Sequence, residues 1–166
     1  LGAAWHPTIE MAKALLLDFG DQLHLPVDLA ANVEGNRVDL ALDDLPVAAP
    51  LFDMGLTSIR RLSAAIKSAG TVILNGPAGV FEMKDFALGT VEMLNACAES
   101  DAFTVMGGGH TATLVAQRGL AHKMGHVSTG GGACLDYIAG RPLPGVVSLE
   151  QGDVAFGIDV VSKSNA

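Results

Sequence analysis

A chain of 166 residues suits one domain with a single core. Hydrophobic residues make up 49% of it, yet no run approaches the roughly 18 consecutive apolar residues of a membrane span, and Leu1 to Thr8 lack the basic-then-apolar pattern of a secretion signal. The net charge of −8 argues against a nucleic-acid partner, so any bound anion must be held locally by backbone donors.

In chain order, Pro7 to Phe19 reads as a helix with Ile9, Ala12, Leu16 and Phe19 on one face and Gly20 as its stop. LHLPVDLA (23–30) and RVDLAL (37–42) read as strands around the Glu34-Gly35-Asn36 turn, and Pro46 and Pro50 mark a loop. Thr57 or Ser58 is positioned to cap a helix whose apolar face is Ile59, Leu62, Ile66 and Ala69, stopped by Gly70. TVIL (71–74) is a short buried strand, followed by the NGPAGVF loop and a helix near Asp85 to Ala98. AFTVM (102–106) leads through GGGH into a helix from about Thr111 to Arg118, and HVST (126–129) leads through GGG into a helix at Ala133 to Ala139. Short apolar strands alternating with helices predict an α/β fold, a parallel sheet covered by helices on both faces. The tail after Leu149 alternates Val154, Phe156, Ile158 and Val160, which predicts one more strand. Cys97 and Cys134 fall in apolar helical patterns without metal-type spacing and read as small buried hydrophobes, at home in a reducing cytoplasm.

Ligands of open α/β sheets bind beyond the carboxyl ends of the strands, and that edge is rich in glycine here. Asn75-Gly76-Pro77-Ala78-Gly79 follows one strand, Gly107-Gly108-Gly109 the next, and Gly130-Gly131-Gly132 precedes the last of these helices. Glycine lets backbone N–H groups approach an anion, and a helix start adds unpaired donors and the positive end of a dipole. Three such loops in register predict a polyphosphate site. Glu82 is placed either to accept the hydroxyls of a ribose or to complement a helix dipole, Asn75 to donate to phosphate or to shape a turn, and Thr111 to bind phosphate or cap its helix. His110, at a helix start, is expected neutral, and Asp53 in Asp-Met-Gly is either a functional carboxylate or loop chemistry. The histidines form no H-x-x-x-H or similar cluster, so no protein metal site is expected. Residues 107–112 satisfy the dinucleotide fingerprint G-x-G-x-x-A, but the acidic residue it requires about 20 positions on is replaced by HVST. An NAD-dependent oxidoreductase is therefore the weaker reading.

NGPAGVFE (75–82), GGGHTAT (107–113) and HVSTGGGACLDYIAGRPLPGV (126–146) closely resemble the C-terminal, nucleotide-binding domain of phosphoglycerate kinase. LPVDLA (25–30) and DMGLTSI (53–59) resemble two further segments of that family, and the motifs follow in the family's order over roughly residues 12–149. Ala78 and His110 look most like the archaeal branch. The resemblance implies a Rossmann-like three-layer domain over residues 1–149, its opening strands absent, with a tail of uncertain structure at 150–166. It implies that Asn75 contacts nucleotide phosphates, that Gly76, Pro77 and Val80 shape the nucleotide pocket, and that Glu82 binds ribose. Gly108, Gly109, His110 and Thr111 match the family's phosphate loop, and Gly130, Gly131 and Gly132 open the helix facing the transferred phosphoryl group.

The implied reaction moves phosphate between 1,3-bisphosphoglycerate and ADP in glycolysis, giving 3-phosphoglycerate and ATP, with Mg2+ carried by the nucleotide. Many family members carry Asp at the position of His110, and magnesium prefers oxygen ligands, so no protein contact to the metal is expected. The family's substrate-binding domain and its phosphate-binding lysines have no counterpart in this sequence. The chain is therefore expected to be a fragment, inactive alone, that binds the phosphoglycerates only with the absent domain. Exposed apolar faces are expected to make it self-associate or lean on a partner. The alternative is a non-catalytic nucleotide-binding module.

Overall fold

Pro7 enters a first helical turn, Gly35 takes a left-handed turn, and short apolar runs end at glycines; the resulting elements follow the expected order closely. The computed structural model describes residues 3–156. Backbone packing divides them into two compact units, the first formed by the residues through Ser68 together with Ala78–Ala96, the second by Ala69–Pro77 and the residues from Cys97 on.

The first unit opens with helix α1 (His6–Phe19), and none of its residues is buried. Of the apolar stripe read from the sequence, Ile9 is half-buried and Ala12, Leu16 and Phe19 are exposed, as are Met11, Leu15 and Leu17 beside it. Strands β1 (Asp28–Val33) and β2 (Asn36–Ala41) form a hairpin in which Val33 pairs with Asn36. Its two-residue turn places Glu34 and Gly35 at φ 52° and 89°, the left-handed geometry that suits tight hairpins. Strand β3 (Leu51–Met54), within what reads from sequence as a loop region, pairs antiparallel with β1 to give the order β2-β1-β3. Helix α2 (Leu56–Ser68) follows. Its cap is neither Thr57 nor Ser58, both of which lie inside the first turn. Gly55 accepts the Ile59 N–H at 3.0 Å, and Asp28 of β1 accepts the N–H groups of Thr57 and Ser58 at 2.8 and 2.7 Å. After a 3-10 turn at Lys84–Phe86, helix α3 (Leu88–Glu99) runs from this unit into the next. Ala30, Ala31, Met54, Ile59, Phe86 and Leu94 form the apolar core.

The second unit carries the parallel sheet, β4 (Thr71–Asn75), β5 (Phe103–Gly107) and β6 (His126–Ser128), in sequential order. Helices α4 (Gly109–Gln117), α5 (Gly132–Ile138) and α6 (Pro144–Phe156) belong to it. Period-two alternation puts Leu74, Thr104 and Met106 on a buried face, while Ile73, Phe103 and Val105 line the opposite side of the sheet. That second side is incompletely covered: Ile73, Phe103 and Val105, with Cys134, Tyr137 and Ile138 of α5, line an open apolar groove of about 500 Å3. Cys97 is buried as expected, whereas Cys134 is only half-buried. The strand expected in the tail is not formed at Val154 and Phe156, which belong to α6. Leu143 accepts the Val147 N–H at 2.9 Å and Pro144 supplies a first-turn φ, so a helix is already running when the alternation begins. Ile158 and Val160 lie outside the described residues.

Candidate functional site

Parallel pairing in register aligns the carboxyl ends of all three strands of the second unit. Asn75 pairs with Gly107, and Gly107 pairs with Ser128. The loops leaving these residues are Gly76-Pro77, Gly108 and Thr129-Gly130-Gly131, so this unit brings together Asn75, Gly76, Pro77, Gly108, Gly109, His110, Thr111, Gly130, Gly131 and Gly132 at one sheet edge. Val80 and Glu82 belong to the first unit, where Glu82 is exposed and the Val80 N–H donates to the Phe52 carbonyl at 2.8 Å.

At the centre, the Asn75 carboxamide lies over the Gly107-Gly108 backbone: a Cβ on Gly107 would come within 2.7 Å of Asn75 Oδ1. Gly108 takes φ 93°, a region that L side chains rarely adopt, and caps α4 by accepting the Ala112 N–H at 3.0 Å. The first-turn N–H groups of α4 have no intrahelical acceptor, and the helix dipole adds positive potential at the same point. His110 is exposed there. Thr111 does not cap its helix through its side chain. The residue is fully buried, and its Oγ1 accepts the Gly76 N–H at 3.1 Å. Thr111 thus ties the loop after β4 to the start of α4, and Gly76 N–H is already engaged. At the third strand end, Ser128 Oγ accepts the Gly130 N–H at 3.2 Å, and Gly131, at φ 55°, stands at the cap of α5. Ser128, not singled out from sequence, is recognisable in retrospect by the Ser-x-Gly spacing of a side-chain turn.

The three loops present backbone N–H groups, an amide and an imidazole but no carboxylate. That donor set suits an anion, and it offers no oxygen-rich nest for magnesium. Among the described residues no group of three or more His, Cys, Asp or Glu is placed to hold a metal ion. The apolar groove reaches this edge at Ser128 and Gly130.

A parallel-sheet α/β unit with glycine-rich turns at the carboxyl ends of adjacent strands defines the wider class, the open-sheet α/β proteins, whose ligands bind at that edge. Comparison with known proteins narrows the class. The family model of phosphoglycerate kinase matches residues 3–141, and the chain belongs to that family. A "Phosphoglycerate kinase 2" from Methanosarcina acetivorans is 46% identical over 149 residues, covering 89% of this chain and 36% of that protein. The phosphoglycerate kinase of Methanothermus fervidus is 43% identical over 143 residues, covering 86% of this chain and 35% of its own length. Among solved structures, phosphoglycerate kinase from Pyrococcus horikoshii superposes with a TM-score of 0.76 at 35% identity, over 86% of this chain and 36% of that one. The enzyme from Coxiella burnetii gives 0.77 at 30% identity, over 90% and 40%. The chain therefore spans little more than a third of the length of the relatives it matches. Among the described residues no helix is long and apolar enough to cross a membrane.

Proposed function

We propose that residues 1–149 are the nucleotide-binding domain of a phosphoglycerate kinase, holding ADP or ATP by its phosphates at the aligned loops and by its ribose at Glu82. The observation that carries the reading is the register Asn75–Gly107–Ser128, which sets three glycine-bearing turns side by side at the end of one parallel sheet. Asn75 and the first-turn N–H groups of Gly109, His110 and Thr111 would receive phosphate oxygens, while Gly130, Gly131 and Gly132 would face the migrating phosphoryl group. Gly76, Pro77 and Val80 would shape the pocket. Magnesium, when bound to the nucleotide phosphates, neutralises charge that builds on the transferred group. The proposed cellular role is the glycolytic transfer between 1,3-bisphosphoglycerate and ADP, in the cytoplasm.

Binding of either phosphoglycerate belongs in this reading to the rest of the enzyme, because the loops at this edge lack the cationic side chains that a free anionic acid requires. Self-association is proposed as well. The exposed stripe of α1 and the open groove of the second unit each leave apolar surface without cover. The test of the nucleotide site is calorimetric titration with ADP. The unmodified chain should bind, and Glu82→Ala should weaken binding roughly ten-fold, the loss expected for one charged hydrogen bond. No ADP binding by the unmodified chain, or equal binding by Glu82→Ala, would overturn the assignment.

A further inference from the structure

Asp53 carries a buried carboxylate that the proposed nucleotide site does not use directly. It stands on β3, and its side chain is fully enclosed. Its Oδ2 accepts Arg37 Nη1 from β2 at 2.9 Å and the Gly89 N–H from the first turn of α3 at 2.9 Å, while Oδ1 accepts the Met54 N–H at 2.8 Å. The same guanidinium donates to the Met54 carbonyl at 2.7 Å, to the Asp85 carbonyl at 3.0 Å and to the Asp39 carboxylate at 3.1 Å. A buried charge is tolerated only when paired and hydrogen-bonded, and Asp53 is both.

The segment from Ala78 to Thr90 is folded around this carboxylate. Gly79 and Gly89, near its two ends, approach so closely that a Cβ on either would fall on the Asp53 carboxyl group. The fully buried Thr90 hydroxyl accepts the Ala78 N–H at 3.0 Å, and the Phe86 ring meets Phe52 edge-on with centroids 5.3 Å apart. Val80 and Glu82 lie within this excursion, whose ends are both fixed to β3.

We infer that Asp53, held by Arg37, is a positioning residue that sets the conformation of the 78–89 segment and thereby of Val80 and Glu82. The inference rests on the nucleotide reading above for what those two residues do. It is independent of that reading for how they are held. Asp53→Asn keeps the shape but removes the charge opposite Arg37 and replaces one acceptor by a donor facing other donors. Hydrogen exchange should then quicken roughly ten-fold or more at the amides of residues 78–89 and stay unchanged in the β1–β2 hairpin. In parallel titrations ADP affinity should fall about ten-fold, the preference for ADP over 2′-deoxy-ADP should collapse, and binding of inorganic tripolyphosphate should be retained.

Unchanged exchange at 78–89 overturns the inference. So does faster exchange with the ribose preference intact, or a loss of tripolyphosphate binding in the same proportion as ADP. Should Asp53→Asn fail to fold, Arg37→Lys is measured in the same way and judged by the same outcomes. It keeps a cation beside Asp53 but cannot serve the Met54 and Asp85 carbonyls together. If the unmodified chain binds no ADP, or does not distinguish it from the deoxynucleotide, the nucleotide reading fails instead. The exchange rates of the variant then decide the clamp alone.

Discussion

Removing the Asp28 side chain should loosen α2 by a predictable amount and with a predictable pH dependence. Asp28 Oδ2 accepts the Thr57 N–H at 2.8 Å, and Oδ1 accepts both the Ser58 N–H at 2.7 Å and the Ser58 hydroxyl at 2.5 Å. A strand residue thus serves as the N-cap of a helix that has only Gly55 at its own cap position. Loss of an N-cap side chain costs about 0.5–2 kcal/mol, and a carboxylate at a helix start adds about 0.3–1 kcal/mol, so Asp28→Ala should cost roughly 2–3 kcal/mol at pH 7. Asp28→Asn, which keeps one acceptor oxygen, should cost roughly half as much.

The pH dependence follows from the same contacts. Partial burial raises the pKa of the Asp28 carboxyl, but the Ser58 hydroxyl and the Ser58 and Thr57 N–H groups outweigh it and lower the value from 3.8 to about 2. A carboxyl held lower in the folded state contributes stability that is complete above the unfolded value and disappears as pH falls through the folded one. The gap sets a ceiling of about 2.5 kcal/mol, which partial solvent exposure reduces to roughly 1–2 kcal/mol. Urea unfolding followed by circular dichroism checks both parts. The difference between the unmodified chain and Asp28→Asn should be constant from pH 7 to about pH 5, then shrink between about pH 4 and pH 2. Equal midpoints at pH 7, or a difference that persists undiminished to pH 2, would refute the reasoning.

Burial pushes the Cys97 thiol up to about 11, while Cys134 is half-buried on the apolar groove; at pH 8 iodoacetamide should label Cys134 first and Cys97 only on unfolding, as peptide mass spectrometry will show. Sedimentation should find the 166-residue chain associated at micromolar concentration, and association through the groove should slow Cys134 labelling as concentration rises. A compact monomer at all concentrations would remove the groove as an interface. In a coupled assay the isolated chain should show no phosphoryl transfer between ATP and 3-phosphoglycerate, since each lost electrostatic donor costs about 10²–10³ in rate and lost positioning costs more. Turnover in the ordinary range of about 1–10³ s⁻¹ would defeat that expectation.

What could be read from the chain alone depended on how local its cause was. The strands TVIL, AFTVM and HVST are short apolar runs bounded by glycine or polar residues, and each forms within a residue or two of its expected limits. The hairpin turn was legible because Gly35 takes the left-handed conformation at no steric cost. Strand β3 was not, because Leu51-Phe52-Asp53-Met54 is four residues long and contains an aspartate whose buried partners include Arg37, 16 positions earlier, and the Gly89 N–H, 36 positions later. The cap of α2 was misplaced for the same kind of reason: its acceptor lies on β1, about 30 positions away. Thr111 was expected at the start of its helix as a cap, but it is the third residue of α4 and its partner is the Gly76 N–H, 35 positions back in the chain.

The non-local contacts have a common logic. Asp28, Asp53 and Thr111 each accept backbone N–H groups from a segment far away in sequence, and the segments so held start helices or carry proposed site residues. Asp28 secures the start of α2, Asp53 the start of α3 and the 78–89 excursion, and Thr111 the turn after β4. An N–H group is available for this because helix starts and tight turns leave donors without local acceptors. Gly76 has spent its N–H on Thr111 and Gly130 has spent its own on Ser128, which shifts the proposed phosphate contact toward Asn75 and the first turn of α4. A phosphate at this edge should accordingly respond more to changes at Gly108, whose φ of 93° sets the start of α4, than at Gly76, whose N–H is held by Thr111.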